Sequence, residues 1–331
     1  MADFHLFNAI SRVPITTILS TSLILLSTGA LIAAISYILY NLYIHPLARY
    51  PGPLLGCISP LYDLYHAYIG DKHLLLYHLH NQYGTIVRFT PNTLSVNDPA
   101  ALKAIYGHGA NTQKSEFYKC FRAAPNAIST LLATEKHHSA RKRRVMGQAF
   151  SDNALRGLEQ YVISHVDDLM TRVDQEVSDS SKSGKWSPAV DFQKWCNYLV
   201  FDIMGDLVFG QSFGTLGSNP ENREAIRLLG RAARRNYTVA ALPAIVYSGV
   251  EKYLPLFRGL WIDRGKYLGF GKKCVMEKMA RDKEGGGETR KDIFSILLHA
   301  KDPETGEGLS WPELWMEGNT LIVAGSDTSS T

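Results

Sequence analysis

The sequence predicts a mainly α-helical protein with a small β-hairpin near its start and a transmembrane helix at its N-terminus. The segment from Val13 to Ile44 contains no Asp, Glu, Lys or Arg. After it, apolar residues recur at helical spacing through most of the chain, and only two short runs alternate as strands do. With 331 residues and 45% apolar content, the chain can bury a large core.

The uncharged segment 13–44 is long enough to cross a bilayer, whose core of about 30 Å needs about 20 helical residues. Tyr37, Tyr40 and Tyr43 repeat at helical spacing near its end, as an interfacial aromatic collar does. A cleaved signal peptide is the alternative. We predict an anchor instead, because the apolar run is too long and lacks a clear small-x-small cleavage site.

The elements after the anchor follow in a regular order. Prolines at 46, 51 and 53 predict a stiff extended hinge. Residues 61–84 have the pattern of one helix that ends at Gly84. The runs GTIVRFT and TLSVND predict a hairpin that turns at Pro91 and Asn92, and PAALKAIYG predicts a short helix after it.

Residues 107–134 have no sustained periodicity and predict a long functional loop. A basic helix over EKHHSARKRRVMGQAF and an amphipathic helix capped by Ser151 come next. The polar connector SDSSKSGKWSP then leads to a buried helix over VDFQKWCNYLVFDIMGDLVFG. Two further helices flank an apolar linker that contains Pro243 and Pro255.

The C-terminal part begins with a predicted loop, KEGGGETRK, followed by a short helix, DIFSILLHA, and a turn, KDPETGEG. The last helix should begin at a Ser310 cap with Pro312 in its first turn. The composition excludes some functions. A net charge of +4 and one short basic tract, RKRR, do not predict nucleic-acid binding, and the four cysteines lie too far apart for a zinc site or a disulfide framework.

The last helix changes character at its end, where Gly325, Ser326, Asp327 and Thr328 follow the apolar run LIVA. A Gly inside a helix costs about 1 kcal/mol relative to Ala, and the Thr328 hydroxyl can bond the carbonyl of Ala324 and open the helix locally. Such a groove can admit a small ligand, and an acid beside a hydroxyl can relay protons. The alternative is an ordinary helix C-terminus with polar residues.

The phrase AGSDTSS, Ala324 to Ser330, resembles the oxygen-binding helix signature of the cytochrome P-450 haem-thiolate monooxygenases. The anchor, HPLARYPGP, YGTIVRFTPNTLSVNDPAALKAIYG, RKRRVMGQAFSDNAL and FDIMGDLVFG resemble other family segments, in the expected order. The chain resembles the branch common in filamentous fungi. This resemblance implies a cytochrome P-450 fold, with a membrane anchor over residues 1–44 and a C-terminally incomplete domain over residues 45–331.

The resemblance also implies functional residues. Asp327 and Thr328 would form the proton-relay pair, and Ala324 and Gly325 would flank the dioxygen pocket. Arg143 would bond a haem propionate.

The basic run RKRR departs from the family pattern at one position. Ser139 stands where the family has an aromatic residue or a His, four residues before the propionate Arg. Lys142 and Arg144 are alternatively part of a solvated helix face or of a docking surface for an acidic reductase.

In this family the E-x-x-R helix and the loop with the haem-ligand cysteine follow the oxygen-binding helix, which is where this sequence ends. Cys274 is not a substitute, because Phe270 and Met276 stand where the family has Gly, and EAIR at 224–227 precedes the oxygen-binding helix. We therefore expect a truncated chain without an axial haem ligand, inactive as it stands, with apolar surface and a strand edge uncovered.

The family as a whole inserts one oxygen atom into an apolar small molecule, using haem and electrons from an NADPH-dependent cytochrome P-450 reductase. The resemblance thus implies a secondary-metabolite monooxygenase, single-pass in the endoplasmic reticulum membrane, with its soluble domain in the cytosol. The loop 107–134 and the linker around Pro243 would shape its pocket. The alternatives are a catalytically inactive remnant that stays bound to membrane lipid, and an unrelated helical membrane scaffold.

Overall fold

The structure is a computed structural model that describes residues 14–181, 186, 189, 191–217, 220–284 and 292–330. These residues form two compact units that divide between Ala110 and Asn111. The described parts are mainly α-helical with one two-stranded hairpin, which confirms the predicted fold class.

The first unit begins with a long apolar helix, α1 (Ile15–Leu39), which continues into a π-helical turn at Tyr40–Ile44. The stretch Leu19–Ile44 is long and apolar enough to cross a membrane by length and composition, as the anchor prediction requires. Its side chains are exposed almost throughout; the exceptions are Asn41, which is 2% exposed, and the half-buried Leu42.

Three short helices follow, α2 (Leu54–Ile58), α3 (Leu61–Ile69) and α4 (Lys72–Tyr83). The prediction of one helix over 61–84 is wrong because Gly70 adopts a φ of 89° and ends α3. Gly84 ends α4 as predicted.

The hairpin consists of β1 (Ile86–Thr90) and β2 (Thr93–Val96), which pair antiparallel as predicted, and α5 (Pro99–Tyr106) comes after it. Arg88 of β1 is 1% exposed and donates to the carbonyls of Asn41 at 2.7 Å and Pro91 at 2.8 Å. A buried guanidinium needs such acceptors, so Arg88 fixes the end of the apolar segment against the hairpin.

The second unit consists of helices joined by loops. In chain order they are a 3-10 helix at Glu116–Phe121, α6 (Lys136–Ala149), α7 (Asp152–Ser181), α8 (Phe192–Phe209), α9 (Pro220–Ala240), α10 (Ala244–Tyr247), a 3-10 helix at Val250–Lys252, α11 (Pro255–Lys283), α12 (Ile293–His299) and α13 (Trp311–Ser326).

In the second unit, two predicted boundaries are wrong. The helix α7 continues through SDSS, part of the predicted connector, because neither Gly nor Pro interrupts that run. The helix α9 continues to Ala240, into the predicted linker. The rest of the connector lies largely outside the described residues, as do residues 285–291 of the predicted loop.

The core of the second unit forms where α8, α12 and α13 meet. Phe201, Phe209, Phe294 and Ile322 are each at most 2% exposed there. The predicted burial of α8 is confirmed for its second half only, because Phe192 at its start is 54% exposed. The C-terminal half of α8 thus positions α13, which carries the candidate site.

The helices α7 and α8 are joined by a buried polar pair, in which Nε2 of His165 lies 3.0 Å from Oδ2 of Asp206. The hydrogen bond to the Asp206 carboxylate raises the pKa of His165, against the opposing effect of burial. A raised folded-state pKa means that the pair stabilises the protein fully below the unfolded pKa of about 6.5. This stabilisation is lost as pH rises through the folded pKa.

We predict that His165→Gln destabilises the protein most at pH 5.5 and least at pH 9, because only the charged imidazole gains from Asp206. Urea unfolding of both proteins between pH 5.5 and 9 measures the difference in free energy of unfolding. A difference that stays constant across this range would contradict the assignment of the charged pair.

Candidate active site

The helix α13 begins with the predicted cap. The Ser310 backbone N–H donates to Oε2 of Glu313 at 2.8 Å in a capping box, and Pro312 occupies the first turn. Glu313 also accepts from Nη2 of Arg141 at 2.6 Å. The start of α13 is therefore fixed to α6.

A buried lysine strengthens this link between α6 and α13. Lys142 is 1% exposed, and its Nζ lies 2.8 Å from Oε1 of Glu313 and 3.7 Å from Oε1 of Glu317. Glu317 accepts in turn from the backbone N–H of Thr130 at 2.6 Å, and burial raises its pKa. The interpretation of Lys142 as a solvated or docking residue is therefore wrong.

Arg144 has a different environment on the same helix. Its guanidinium lies 2.6 Å from the buried carboxylate of Asp302 and 2.9 Å from Glu304. The Arg144 hydrogen bond holds the pKa of Asp302 below its ordinary value. Arg144 thus pairs with both Asp302 and Glu304, which ties α6 to the loop before α13.

The end of α13 has the geometry that the sequence predicts. The Thr328 hydroxyl donates to the carbonyl of Ala324 at 2.6 Å, and regular helical structure ends at Ser326. Asp327 keeps helical backbone angles, and its N–H donates to the Val323 carbonyl at 3.3 Å. The side chains of Asp327 and Thr328 are exposed, so water reaches both groups.

At Gly325, α13 packs closely against Met204 of α8. A Cβ atom at this position would overlap the Cγ, Sδ and Cε atoms of Met204. The missing side chain therefore allows a contact between helices, in addition to any space that it leaves for a ligand.

Ala324 and Gly325 lie in the wall of an apolar cleft of about 460 Å³ in the second unit. This volume is within the range of small-molecule sites. The cleft is also lined by Phe150, Leu155, Leu158, Glu159, Val162, Met204, Leu207, Ile293 and Leu321. The structure thus brings four of the predicted site residues, at 324, 325, 327 and 328, to one helix end beside an apolar space.

Arg143 is exposed on α6, on a different helix from the other four predicted residues. Burial and the positive charge of Arg143 lower the pKa of Lys114, whose Nζ donates to the carbonyls of Leu131 at 2.6 Å and Thr130 at 3.2 Å. Within the described ranges no carboxylate lies at ion-pair distance from Arg143 or Lys114, but the charge of Glu317 opposes the lowering of the Lys114 pKa. The exposed Arg143 guanidinium, without an ion-pair partner among these residues, can bind an anionic group such as a haem propionate.

The two partial matches to other family motifs, at Cys274 and at EAIR over 224–227, both lie in helices. Cys274 is within α11, and burial raises its pKa to about 12, so its thiol stays protonated at neutral pH. Glu224 and Arg227 form an exposed pair on α9, with 2.8 Å between Oε2 and Nε. Both observations agree with the interpretation that these are chance matches.

Comparison with known proteins identifies the class. The profile of the family described as Cytochrome P-450 matches residues 50–331, which is most of the chain. This protein therefore belongs to the cytochrome P-450 family, as the signature at 324–330 predicted. The family implies haem iron, a redox partner such as a reductase and a small-molecule substrate.

Fungal monooxygenases are among the similar curated proteins. The cytochrome P-450 monooxygenase AKT7 of Alternaria alternata is 37% identical over 294 residues, which are 89% of this chain and 54% of that protein. The monooxygenase atnE of Emericella nidulans is 35% identical over 88% of this chain and 55% of its own length. Averantin hydroxylase of Dothistroma septosporum is 31% identical over 92% and 54%. The chain spans about half the length of these relatives.

Sequence reasoning missed Met204 and Lys114. A methionine in an apolar helix gives no signal of its partner, because the contact with Gly325 joins distant parts of the chain. Lys114 lies in a stretch without periodicity, where its neighbour Arg143 could not be inferred.

We predict that Gly325→Ala changes the free energy of unfolding more favourably in a Met204→Ala background than in the wild-type protein. In the wild-type protein the new methyl group must displace Met204, whereas the Met204→Ala variant offers space and lets the higher helix propensity of Ala act. The free energies of unfolding, measured by urea denaturation, should show a coupling of about 1–3 kcal/mol. Additive effects of the two substitutions would contradict the contact.

Proposed function

We propose that this chain belongs to a membrane-anchored cytochrome P-450 monooxygenase that inserts one oxygen atom into an apolar small molecule of fungal secondary metabolism. The observation that carries the proposal is the end of α13, where Ala324, Gly325, Asp327 and Thr328 combine a family signature with an adjoining apolar cleft. The names of the relatives, monooxygenases and one averantin hydroxylase, support the reaction class.

Haem iron would supply the activation of dioxygen. Arg143 would hold a propionate by a charge-assisted hydrogen bond. Ala324 and Gly325 would flank the space for a diatomic ligand beside α13. Ala324 presents only a methyl group there, while Met204 fills the space beside Gly325.

Asp327 and Thr328 would deliver protons. The Asp327 carboxylate is exposed and would exchange protons with water, while Oγ1 of Thr328, held on the Ala324 carbonyl, would pass a proton toward the ligand.

The apolar helix α1 would anchor the protein in the endoplasmic reticulum membrane, with residues 45–331 as the catalytic domain on the cytosolic side. The stretch Leu19–Ile44 supports this, because its length and composition suit a membrane span. An NADPH-dependent cytochrome P-450 reductase would supply electrons, as a redox partner of the kind that the family uses.

We predict that Arg143→Gln weakens haem binding roughly tenfold or more, because it removes one charge-assisted hydrogen bond. The full-length polypeptide is loaded with haem, and the haem that remains per protein after gel filtration is measured by absorbance. Arg156→Gln is the control, since Arg156 is exposed on α7. Equal haem retention in both variants would contradict the role of Arg143, and a wild-type protein that binds no haem would overturn the proposed function.

A second prediction concerns Thr328. In haem-loaded microsomes with reductase, Thr328→Ala should lower the product formed per NADPH consumed by about tenfold or more. Thr171→Ala is a matched control, because the Thr171 hydroxyl also bonds the carbonyl four residues back, at 2.9 Å, on the exposed side of α7. If both variants couple NADPH to product equally well, Thr328 has no part in proton delivery.

A further inference from the structure

The Tyr267 hydroxyl is buried without a hydrogen-bond partner among the described residues. Tyr267 lies on α11, is 3% exposed and belongs to an apolar cluster with Leu228, Leu229 and Ala232, against which Val323 of α13 packs. A buried tyrosine hydroxyl usually has a partner, because leaving it unpaired is unfavourable. The hydroxyl therefore indicates a polar contact that is made in the working protein.

The geometry of α13 brings one polar side chain to this place. Residues four apart lie on the same face of a helix, and Asp327 follows Val323 by four residues while keeping helical backbone angles. Since Val323 packs against the Tyr267 cluster, Asp327 lies one turn further along the face of α13 that meets α11. Burial, the Cys274 thiol and the Asp327 carboxylate together raise the pKa of Tyr267, which agrees with this proximity.

Two other acceptors near Tyr267 are less suitable. Cys274 lies two turns further along α11, and a thiol is only a weak acceptor. The side-chain amide of Asn319, on α13, packs so closely on Gly271 of α11 that a Cβ atom on Gly271 would overlap it. Asn319 is therefore held beside Gly271, which lies one turn from Tyr267 on α11. A carboxylate is the strongest acceptor of the three.

We propose that Tyr267 is a positioning residue whose hydroxyl donates a hydrogen bond to the Asp327 carboxylate, directly or through one water. The bond would hold Asp327 in one rotamer on the α11 face of α13. Thr328 is four residues after Ala324, which lines the apolar cleft, so Thr328 lies on the neighbouring face of α13. The role in proton delivery rests on the proposed function, whereas the contact itself does not.

A double-mutant cycle tests the contact on the chain itself. Tyr267→Phe, Asp327→Asn and the double variant are compared by thermal unfolding, and we expect the double variant to differ from the sum of the single variants by about 2 °C or more in Tm. Tyr267→Phe combined with Asp152→Asn, a substitution at an exposed residue of α7, should be additive. Additive shifts for the Tyr267 and Asp327 pair would overturn the proposal.

The second measurement is the product formed per NADPH in the haem-loaded, full-length protein with reductase. Tyr267→Phe should lower this ratio about threefold or more, and the double variant should be no worse than Asp327→Asn alone. An unchanged ratio in Tyr267→Phe would overturn the positioning role even if the Tm values are coupled. A wild-type protein without turnover would contradict the proposed function instead, while the Tm cycle still decides the contact.

Discussion

The buried amino group of Lys142 is the constraint on which the arrangement of the candidate site depends. A lysine that is 1% exposed requires carboxylates close by, because an unpaired buried charge costs several kcal/mol. Glu313 and Glu317 supply them from one face of α13, so the rotation and register of α6 against α13 are fixed. Since Arg143 is the next residue, its side chain is rotated by about 100° from Lys142 and lies at the surface.

Close packing then fixes the rest of α13. A Cβ on Gly318 would lie 3.0 Å from the Val275 side chain, and the Asn319 amide occupies the space beside Gly271. Gly325 similarly accommodates Met204. Each glycine in the helix interior costs about 1 kcal/mol relative to alanine, and the close contacts with α8 and α11 offset this cost. The end of α13 is thereby held between two helices.

Features that depend on neighbouring residues could be predicted from the sequence, including the apolar span, the hairpin, the Ser310 cap and the Thr328 bond to Ala324. The break at Gly70 was missed because a glycine is tolerated within a helical pattern, and only its positive φ reveals it. The burial of Lys142 was also missed. Its partners are distant in sequence, so the basic run has the pattern of a solvated face, and only the tertiary contacts with Glu313 and Glu317 show its burial.

The two faces at the end of α13 explain how an acid and a hydroxyl at adjacent positions can have separate tasks. Adjacent residues on a helix do not face each other. Asp327 shares a helix face with Val323, which packs against the Tyr267 cluster, whereas Thr328 shares the neighbouring face with Ala324, which lines the cleft. In the proposed function, water would therefore carry the proton between the two side chains. The exposed Asp327 suits this arrangement because its carboxylate stays hydrated, and the fixed Thr328 hydroxyl would give the proton its direction.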